Sequence, residues 1–236
     1  MRTPKEAIAS PSGVGSTSQR PATVAHTSSA GERVVEWIKK HRQASAYVAV
    51  AIAAAAALVV WNITSSGRVE AEARANLASA RMAFDSRNLA VAASELARVR
   101  ENFSGSLAAE EATLLLAQVR LLQGQTDQGV QMLQEFAPRA SREYRAQAYG
   151  LLAVAFENAG KLSDGAQAYE QAAAGAELDF LKAQFLSDAG RAWLAAGDSN
   201  RAISTYRRVV KDFESTAAAR EATVRLGELT KGAALP

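Results

Sequence analysis

The chain has 236 residues, no cysteine and two histidines, and its 27 basic and 24 acidic residues give a formal net charge of +3. Both histidines, His26 and His41, precede a long apolar run at residues 44–63, and the part after that run holds 20 basic and 21 acidic residues. That part therefore lacks the residue types that dominate general-base catalysis and transition-metal binding, and it lacks the basic footprint of a nucleic-acid-binding domain. We expect no enzyme, no cofactor or metal site, no small-molecule substrate and no nucleic-acid partner.

Two segments precede the apolar run. Residues 1–31 are rich in Ser, Thr, Pro, Gly and Ala and show no hydrophobic periodicity, so we expect a disordered cytoplasmic tail. Residues 32–43 combine a short apolar cluster with Lys39, Lys40 and Arg42, which predicts a basic amphipathic segment beside a membrane. The alternative is that these basic residues only set the membrane topology.

The apolar run, ASAYVAVAIAAAAALVVWNI at residues 44–63, contains no charged residue. Twenty helical residues reach roughly 30 Å, the thickness of a bilayer's hydrocarbon core, so the run predicts a transmembrane helix. Four basic residues within the fifteen before the run, against two within the fifteen after it, favour a cytoplasmic N-terminus and an extracytoplasmic C-terminal domain. The alternative is a buried, alanine-rich helix of a soluble domain.

One face of the predicted span carries only small side chains. These recur every four residues at Ser45, Ala49, Ala53 and Ala57. Small residues at this spacing let two membrane helices approach closely, so the four positions are a candidate helix-packing face. The alternative is that alanine is simply abundant here, at nine of the twenty residues.

The chain after residue 63 is rich in helix-forming residues and contains an internal repeat. Four anchor positions are separated by 37, 36 and 37 residues: Arg87, Gly124, Gly160 and Gly197. Small residues lie seven before and five after each anchor: Ala80, Ala117, Ala153 and Gly190, then Ala92, Gly129, Gly165 and Ala202. Mostly large residues follow nine and twelve after each anchor: Leu96, Leu133, Tyr169 and Tyr206, then Val99, Phe136, Ala172 and Val209. The pattern predicts four antiparallel helix hairpins that meet at small residues and turn at the anchors.

Two parts of this repeat pattern are incomplete. The first anchor is arginine instead of glycine, so we expect Asn88 to take the positive-φ conformation, which asparagine tolerates. Residues 102–116 have a partial copy 110 positions later, which indicates a fifth repeat shortened to one helix. Residues 216–229 are therefore predicted to form a capping helix, with Ser215 or Thr216 as its N-cap.

Residues 69–230 resemble tetratricopeptide repeats, and the fourth repeat matches that motif best, at Gly190, Trp193, Gly197, Ala202 and Tyr206. The period of 36 to 37 residues is longer than the family's usual period of about 34. We therefore expect an all-α protein. In this prediction, one N-terminal transmembrane helix is followed by a tetratricopeptide-repeat α-solenoid of about four helix hairpins plus a C-terminal capping helix. The predicted repeat domain covers residues 64–232.

The order of tail, basic segment, single span and short repeat domain resembles YfgM-like ancillary subunits of the Sec translocon, whose repeat domain is shared with CpoB-type proteins. The resemblance implies a bacterial inner-membrane protein whose periplasmic repeats associate with translocon subunits and periplasmic chaperones. A scaffold for another cell-envelope complex, in cell division or outer-membrane assembly, is the alternative. An enzyme built on carboxylate pairs such as Glu110 with Glu111, or Asp179 with Asp188, is a weaker one, because solvated helix faces explain such pairs.

The predicted binding surface lies on the first helix of each hairpin. In stacked hairpins this helix lines the concave side, with residues about thirteen, ten, six and three before each anchor pointing into it. The candidate set is Arg74, Leu77, Arg81, Phe84, Glu111, Leu114, Gln118, Leu121, Gln147, Val154, Glu157, Gln184, Arg191 and Leu194. Leu77, Phe84, Leu114 and Leu121 are expected to form an apolar floor for an extended or helical segment of a partner. The alternative is that these four pack against the neighbouring repeat.

Overall fold

A computed structural model describes residue 37 and residues 40–232, and within this part of the chain all regular elements are helical. Between residues 42 and 230 the described chain forms nine α-helices and one short 3-10 helix. They are α1 (Arg42–Asp85), α2 (Leu89–Asn102), α3 (Leu107–Leu122), α4 (Thr126–Phe136), the 3-10 helix (Ala137–Arg139), α5 (Arg142–Asn158), α6 (Leu162–Gly175), α7 (Asp179–Ala195), α8 (Ser199–Asp212) and α9 (Ala217–Thr230). The predicted all-α class is confirmed.

The chain divides into two compact units, residues 1–59 and residues 60–236. In the first unit, the predicted tail at residues 1–31 and most of the predicted basic segment lie outside the described residues. Helix α1 contains the one described stretch that is long and apolar enough to cross a membrane, judged by length and composition alone. Its large apolar side chains, such as Ile52 and Leu58, are exposed, as are Ala53 and Ala57 of the predicted packing face.

The second unit is a solenoid of helix hairpins. The C-terminal part of α1 packs against α2 in a shared apolar cluster. Helix α3 pairs with α4, α5 with α6, and α7 with α8, while α9 covers the last hairpin. Helix α9 confirms the predicted capping helix, and the Thr216 hydroxyl accepts a hydrogen bond from the Ala219 N–H at 3.1 Å as its N-cap.

Small residues lie where the two helices of a hairpin approach each other. A Cβ added at Gly190 would lie 2.8 Å from Cε1 of Tyr206, and one added at Gly165 would lie 3.2 Å from the carbonyl oxygen of Ala153. Ala80 and Ala92 are fully buried at the corresponding positions of the first hairpin. The small residues predicted from the repeat therefore lie where the two helices of each hairpin approach most closely.

The turns of the four hairpins share one backbone conformation. Gly124, Gly160 and Gly197 have φ values of 75°, 71° and 84°, and Arg87 has a φ of 60°. The prediction that Asn88 would take the positive φ is wrong, because Asn88 has a φ of −80°. Its N–H closes the turn on the Ala83 carbonyl at 2.9 Å, and its side chain accepts from the Val91 N–H at 3.3 Å, so it caps α2. The turn requires a left-handed backbone conformation at the anchor itself, and Arg87 adopts this conformation despite a steric cost of about 1–2 kcal/mol.

Two carboxylates join successive repeats through backbone groups at the start of the following first helix. Glu70 of α1 accepts a hydrogen bond from the Leu107 N–H at 3.0 Å, and Glu110 of α3 accepts from the Ser141 N–H at 3.0 and 3.2 Å. The first four N–H groups of a helix have no partner within it, so these carboxylates satisfy donors that would otherwise lie unpaired.

The buried residues form two apolar clusters that meet at α3. One cluster lies between the first hairpin and α3 and includes Leu77, Leu96 and Leu116, whereas the other begins at Leu114 and runs to Leu226 in the capping helix. Helix α3 therefore supplies a buried face to each, and the first hairpin has a core that is largely separate from the rest.

Candidate functional site

Four cavities open in a row between the first helices of successive hairpins. Their volumes are about 310, 370, 330 and 270 Å³ in chain order. The first two lie among α1, α3 and α5, the third among α3, α5 and α7, and the fourth between α7 and α9. The second and third cavities share Gln118 and Val154, and the third and fourth share Asp188, whereas the first and second have no lining residue in common but lie along the same three helices. We call this row the groove.

The first cavity has charged walls. Arg74 Nε lies 2.9 Å from Glu70 Oε1, and Arg81 is ion-paired with Glu111. Glu111 also accepts a hydrogen bond from the Tyr144 hydroxyl at 3.3 Å. Burial, followed by the nearby charge of Glu143, raises the pKa of Tyr144 above its usual value, so this hydroxyl stays protonated to a higher pH than a free tyrosine does.

The second and third cavities have apolar walls with an amide edge. Their apolar lining consists of Phe84, Leu121, Leu122, Val154, Gly150, Leu151 and Phe185. Leu122 is 56% exposed and Val154 is 39% exposed. The side-chain amides of Gln118 and Gln147 lie beside them. The middle of the groove therefore presents solvent-exposed apolar surface together with groups that can donate or accept hydrogen bonds.

The fourth cavity is charged again. Arg191 binds Glu157 through two hydrogen bonds of 2.9 and 3.1 Å, and Glu157 also accepts from the Tyr169 hydroxyl at 3.0 Å. Burial, with the neighbouring Glu157 carboxylate, raises the pKa of Tyr169 well above its usual value. At the other wall, Arg225 is 3.1 Å from Glu228, which lies outside the cavity lining.

The structure places most of the predicted surface residues in this groove. Eleven of the fourteen line it, and these are Arg74, Leu77, Arg81, Phe84, Glu111, Gln118, Leu121, Gln147, Val154, Gln184 and Arg191. Leu114, Glu157 and Leu194 line none of the four cavities.

The predicted apolar floor needs a correction at two of its four positions. Leu77 and Leu114 are only 3% and 2% exposed, because they pack in the two core clusters. Both lie ten residues before an anchor, where the side chain points between neighbouring helices. Leu122, which the sequence reasoning did not select, is instead an exposed apolar residue beside Phe84 and Leu121.

Polar groups at both ends of the groove lie outside the positions that the repeat offsets predict. Glu143 and Tyr144 begin α5 and line the first cavity, and Glu221 of the capping helix lines the fourth. Asp188 lies nine residues before its anchor, one turn from the nearest selected position. The repeat pattern contains a signal for Glu221, because the capping helix occupies the place that the first helix of a fifth hairpin would take, so its polar residues can face the groove.

The described residues contain no group of three or more His, Asp or Glu side chains that could hold a metal ion. A further cavity of about 210 Å³ lies between α1 and α2, apart from the groove, and is lined mainly by polar residues. In it the Ser79 hydroxyl donates to Glu95 at 3.1 Å.

Comparisons with known proteins agree with this architecture. A tetratricopeptide-repeat family model matches residues 186–216. The TPR-like repeats of a Podosopora anserina kinesin light chain are similar in fold, with a TM-score of 0.54 and 17% identity over 69% of this chain and 87% of that one. The protein MamA is similar with a TM-score of 0.52 and 16% identity over 68% and 81%. A comparison with curated protein sequences finds no match. The repeat domain thus has the fold of a tetratricopeptide-repeat-like helical solenoid.

Proposed function

We propose that the groove binds an extended or helical segment of a partner protein. The observation that carries this proposal is the exposed apolar surface at Leu122 and Val154, in the middle of a row of cavities that runs across five helices. Burying such surface is favourable at roughly 25 cal/mol per Å², and a row of pockets on parallel helices suits side chains projecting from one segment.

Site-specific photo-crosslinking tests where the partner binds. A photoreactive amino acid at Val154 should crosslink the partner, whereas the same group at Gln167, which is exposed on α6, should not. Equal yields at both positions, or none at Val154, would contradict binding in the groove.

Alanine substitutions separate binding from packing. Leu122→Ala should weaken partner binding with little change in melting temperature, because the side chain is half-exposed. Leu114→Ala should instead lower stability by about 2–5 kcal/mol, because it leaves a cavity in the core. If Leu122→Ala lowered stability as much as Leu114→Ala, the exposed leucine would be part of the core and not of a binding surface.

We also propose that the apolar part of α1 anchors the domain in a membrane, with the N-terminus in the cytoplasm. The uncharged run at residues 44–63, the exposed side chains of its described residues and the basic residues before it support this proposal. The chain has no cysteine, so Ser10→Cys and Ser163→Cys can be labelled one at a time with a membrane-impermeant thiol reagent on intact spheroplasts. Labelling at Ser163→Cys alone is expected, and labelling at Ser10→Cys alone would reverse the topology.

For the partner, we propose subunits of the bacterial Sec translocon together with periplasmic chaperones. The support is the resemblance in architecture, in which one span precedes a short repeat domain. The alternative is a scaffold for a cell-division or outer-membrane assembly complex. Affinity purification from solubilised membranes, with mass spectrometry and with Leu122→Ala as the matched control, distinguishes them. Enrichment of translocon subunits that is lost in Leu122→Ala is expected, and enrichment of division or assembly proteins instead would favour the alternative.

A further inference from the structure

We infer that the segment bound in the groove is amphipathic and cationic, with apolar side chains in the second and third cavities and Lys or Arg side chains at the carboxylates of the charged ends. This inference rests on the proposed function, and it specifies the chemistry of the partner.

The cations of the groove are already neutralised by carboxylates of the same domain. Arg74 pairs with Glu70, Arg81 with Glu111, Arg191 with Glu157 and Arg225 with Glu228. An acidic segment would have to break these ion pairs in order to reach a guanidinium. The groove therefore offers no free cation to an anionic partner among its described lining residues.

Three carboxylates of the groove are not neutralised in this way. Within the described part of the chain, the side chains of Glu143 and Glu221 have neither an ion pair nor a hydrogen bond. Asp188 has only a 3.9 Å contact with Arg191 Nε and a 3.3 Å hydrogen bond from Gln184. The uncompensated charge of the groove is therefore negative, at both ends of its apolar middle.

Asp188 and Glu221 give the strongest support for a cationic segment in the groove. Asp188 lines both the apolar third cavity and the charged fourth cavity, and Glu221 lies across the fourth cavity on α9. Burial raises the pKa of Asp188, as expected for a carboxylate whose charge is partly removed from water. A Lys or Arg that follows apolar residues in the bound segment would supply the missing counter-charge at this boundary.

The test uses two fluorescent helical peptides of about twelve residues with the same leucine face, one with lysine and one with glutamate at the polar positions. Binding is measured by fluorescence anisotropy to the full chain in phosphatidylcholine nanodiscs, with empty nanodiscs as the blank. The lysine peptide should bind at least about tenfold more tightly, and this difference should shrink as salt is raised.

The Asp188→Asn/Glu221→Gln double variant should lose about fivefold or more in affinity for the lysine peptide. Glu214→Gln is the matched control, because Glu214 is exposed in the turn before α9 and lines none of the four cavities. Equal affinities for both peptides, or equal behaviour of the double variant and the control, would overturn the inference. Binding of neither peptide, with crosslinking intact at Val154, would overturn it while leaving the proposed function standing. Loss of crosslinking at Val154 would overturn the proposed function itself.

Discussion

The first and fourth hairpins have the same backbone plan but different interiors. The first packs alanine and leucine residues such as Ala80 and Leu96, whereas the fourth packs Gly190 against Tyr206 and buries Trp193. Both turn through a residue with positive φ, at 60° in the first and 84° in the fourth. The hairpin geometry therefore depends on the spacing of small residues and on the turn, while the large side chains determine the stability of each hairpin.

The difference has a thermodynamic consequence. In a repeat domain, stability is approximately a sum of terms for each repeat and for each interface. The first hairpin has smaller core residues and a non-glycine residue in a left-handed conformation, so we expect it to open before the fourth. Four substitutions should narrow or reverse this difference in stability, and a fifth, Asp188→Asn, should enlarge it.

The largest effect is expected for Trp193→Ala. The indole is 2% exposed, its Nε1–H donates to Glu170 at 2.8 Å, and the Arg201 guanidinium lies 4.2 Å from its ring centroid. Truncation should lower the free energy of unfolding by about 3–5 kcal/mol, measured by urea denaturation with circular dichroism. Trp61→Ala is the control, because Trp61 is 70% exposed. Equal effects of the two variants would show that the aromatic residue does not hold the fourth hairpin.

The next largest effect is expected for Gly190→Ala, which places a methyl group 2.8 Å from the buried ring of Tyr206. We expect a loss of about 1–3 kcal/mol from overpacking. Tyr206→Leu in the same chain reproduces the Ala80 and Leu96 pair of the first hairpin, so it should recover part of the loss. Purely additive effects in this double-mutant cycle would contradict the contact between the two positions.

Substitutions at the turn residues should change stability by a smaller amount. Arg87→Gly should stabilise the first hairpin by about 1 kcal/mol, because glycine adopts positive φ without a steric penalty. Gly197→Arg should destabilise the fourth by a similar amount, although no heavy atom lies within 4 Å of an added Cβ. Hydrogen exchange of α2 and α8 amides measures each hairpin separately. Faster exchange of α2 in Arg87→Gly would refute the assignment of strain to this turn.

The smallest effect concerns pH. Burial, reinforced by Glu157 and Glu221 and opposed by Gln184 and Arg191, raises the folded-state pKa of Asp188 above its ordinary value of 3.8. At pH values between 3.8 and the raised pKa, the folded protein therefore holds a proton that the unfolded chain has released. This group's contribution to stability increases as pH falls through the raised pKa and levels off below 3.8.

Asp188→Asn should remove this pH dependence and stabilise the protein at neutral pH by less than about 1 kcal/mol. The measurement is the difference in melting temperature between variant and wild type as a function of pH. Glu214→Gln is the control, and a flat difference for Asp188→Asn would contradict the burial of its charge.

The sequence was sufficient to predict the hairpins, because one spacing rule relates small residues, turns and core residues in each repeat. It placed Gly190 against the helix that carries Tyr206, and it identified the capping helix. It did not identify Arg87 as the left-handed residue, because local propensity favoured Asn88, whereas the shared hydrogen-bond pattern of the four turns requires the anchor position.

The groove was predicted less completely than the fold. The four offsets selected one stripe on each first helix, but the direction of a side chain also depends on how the next helix is placed against it. For this reason Leu114 belongs to the core, while Leu122 and Asp188 line cavities. Glu221 lines a cavity from α9, which the repeat pattern predicts only as a capping helix.

The hydrogen bond from the Leu107 N–H to Glu70 also guides where a soluble fragment of the domain should begin. A fragment that starts at α2 would remove the carboxylate that satisfies the start of α3, together with Ala73, Leu77 and Ala80 of the first core cluster. A fragment that starts near residue 64 omits the apolar run and retains all of these groups. Expression of the domain without the apolar run therefore requires keeping about the last six turns of α1, although the run and these turns belong to the same helix.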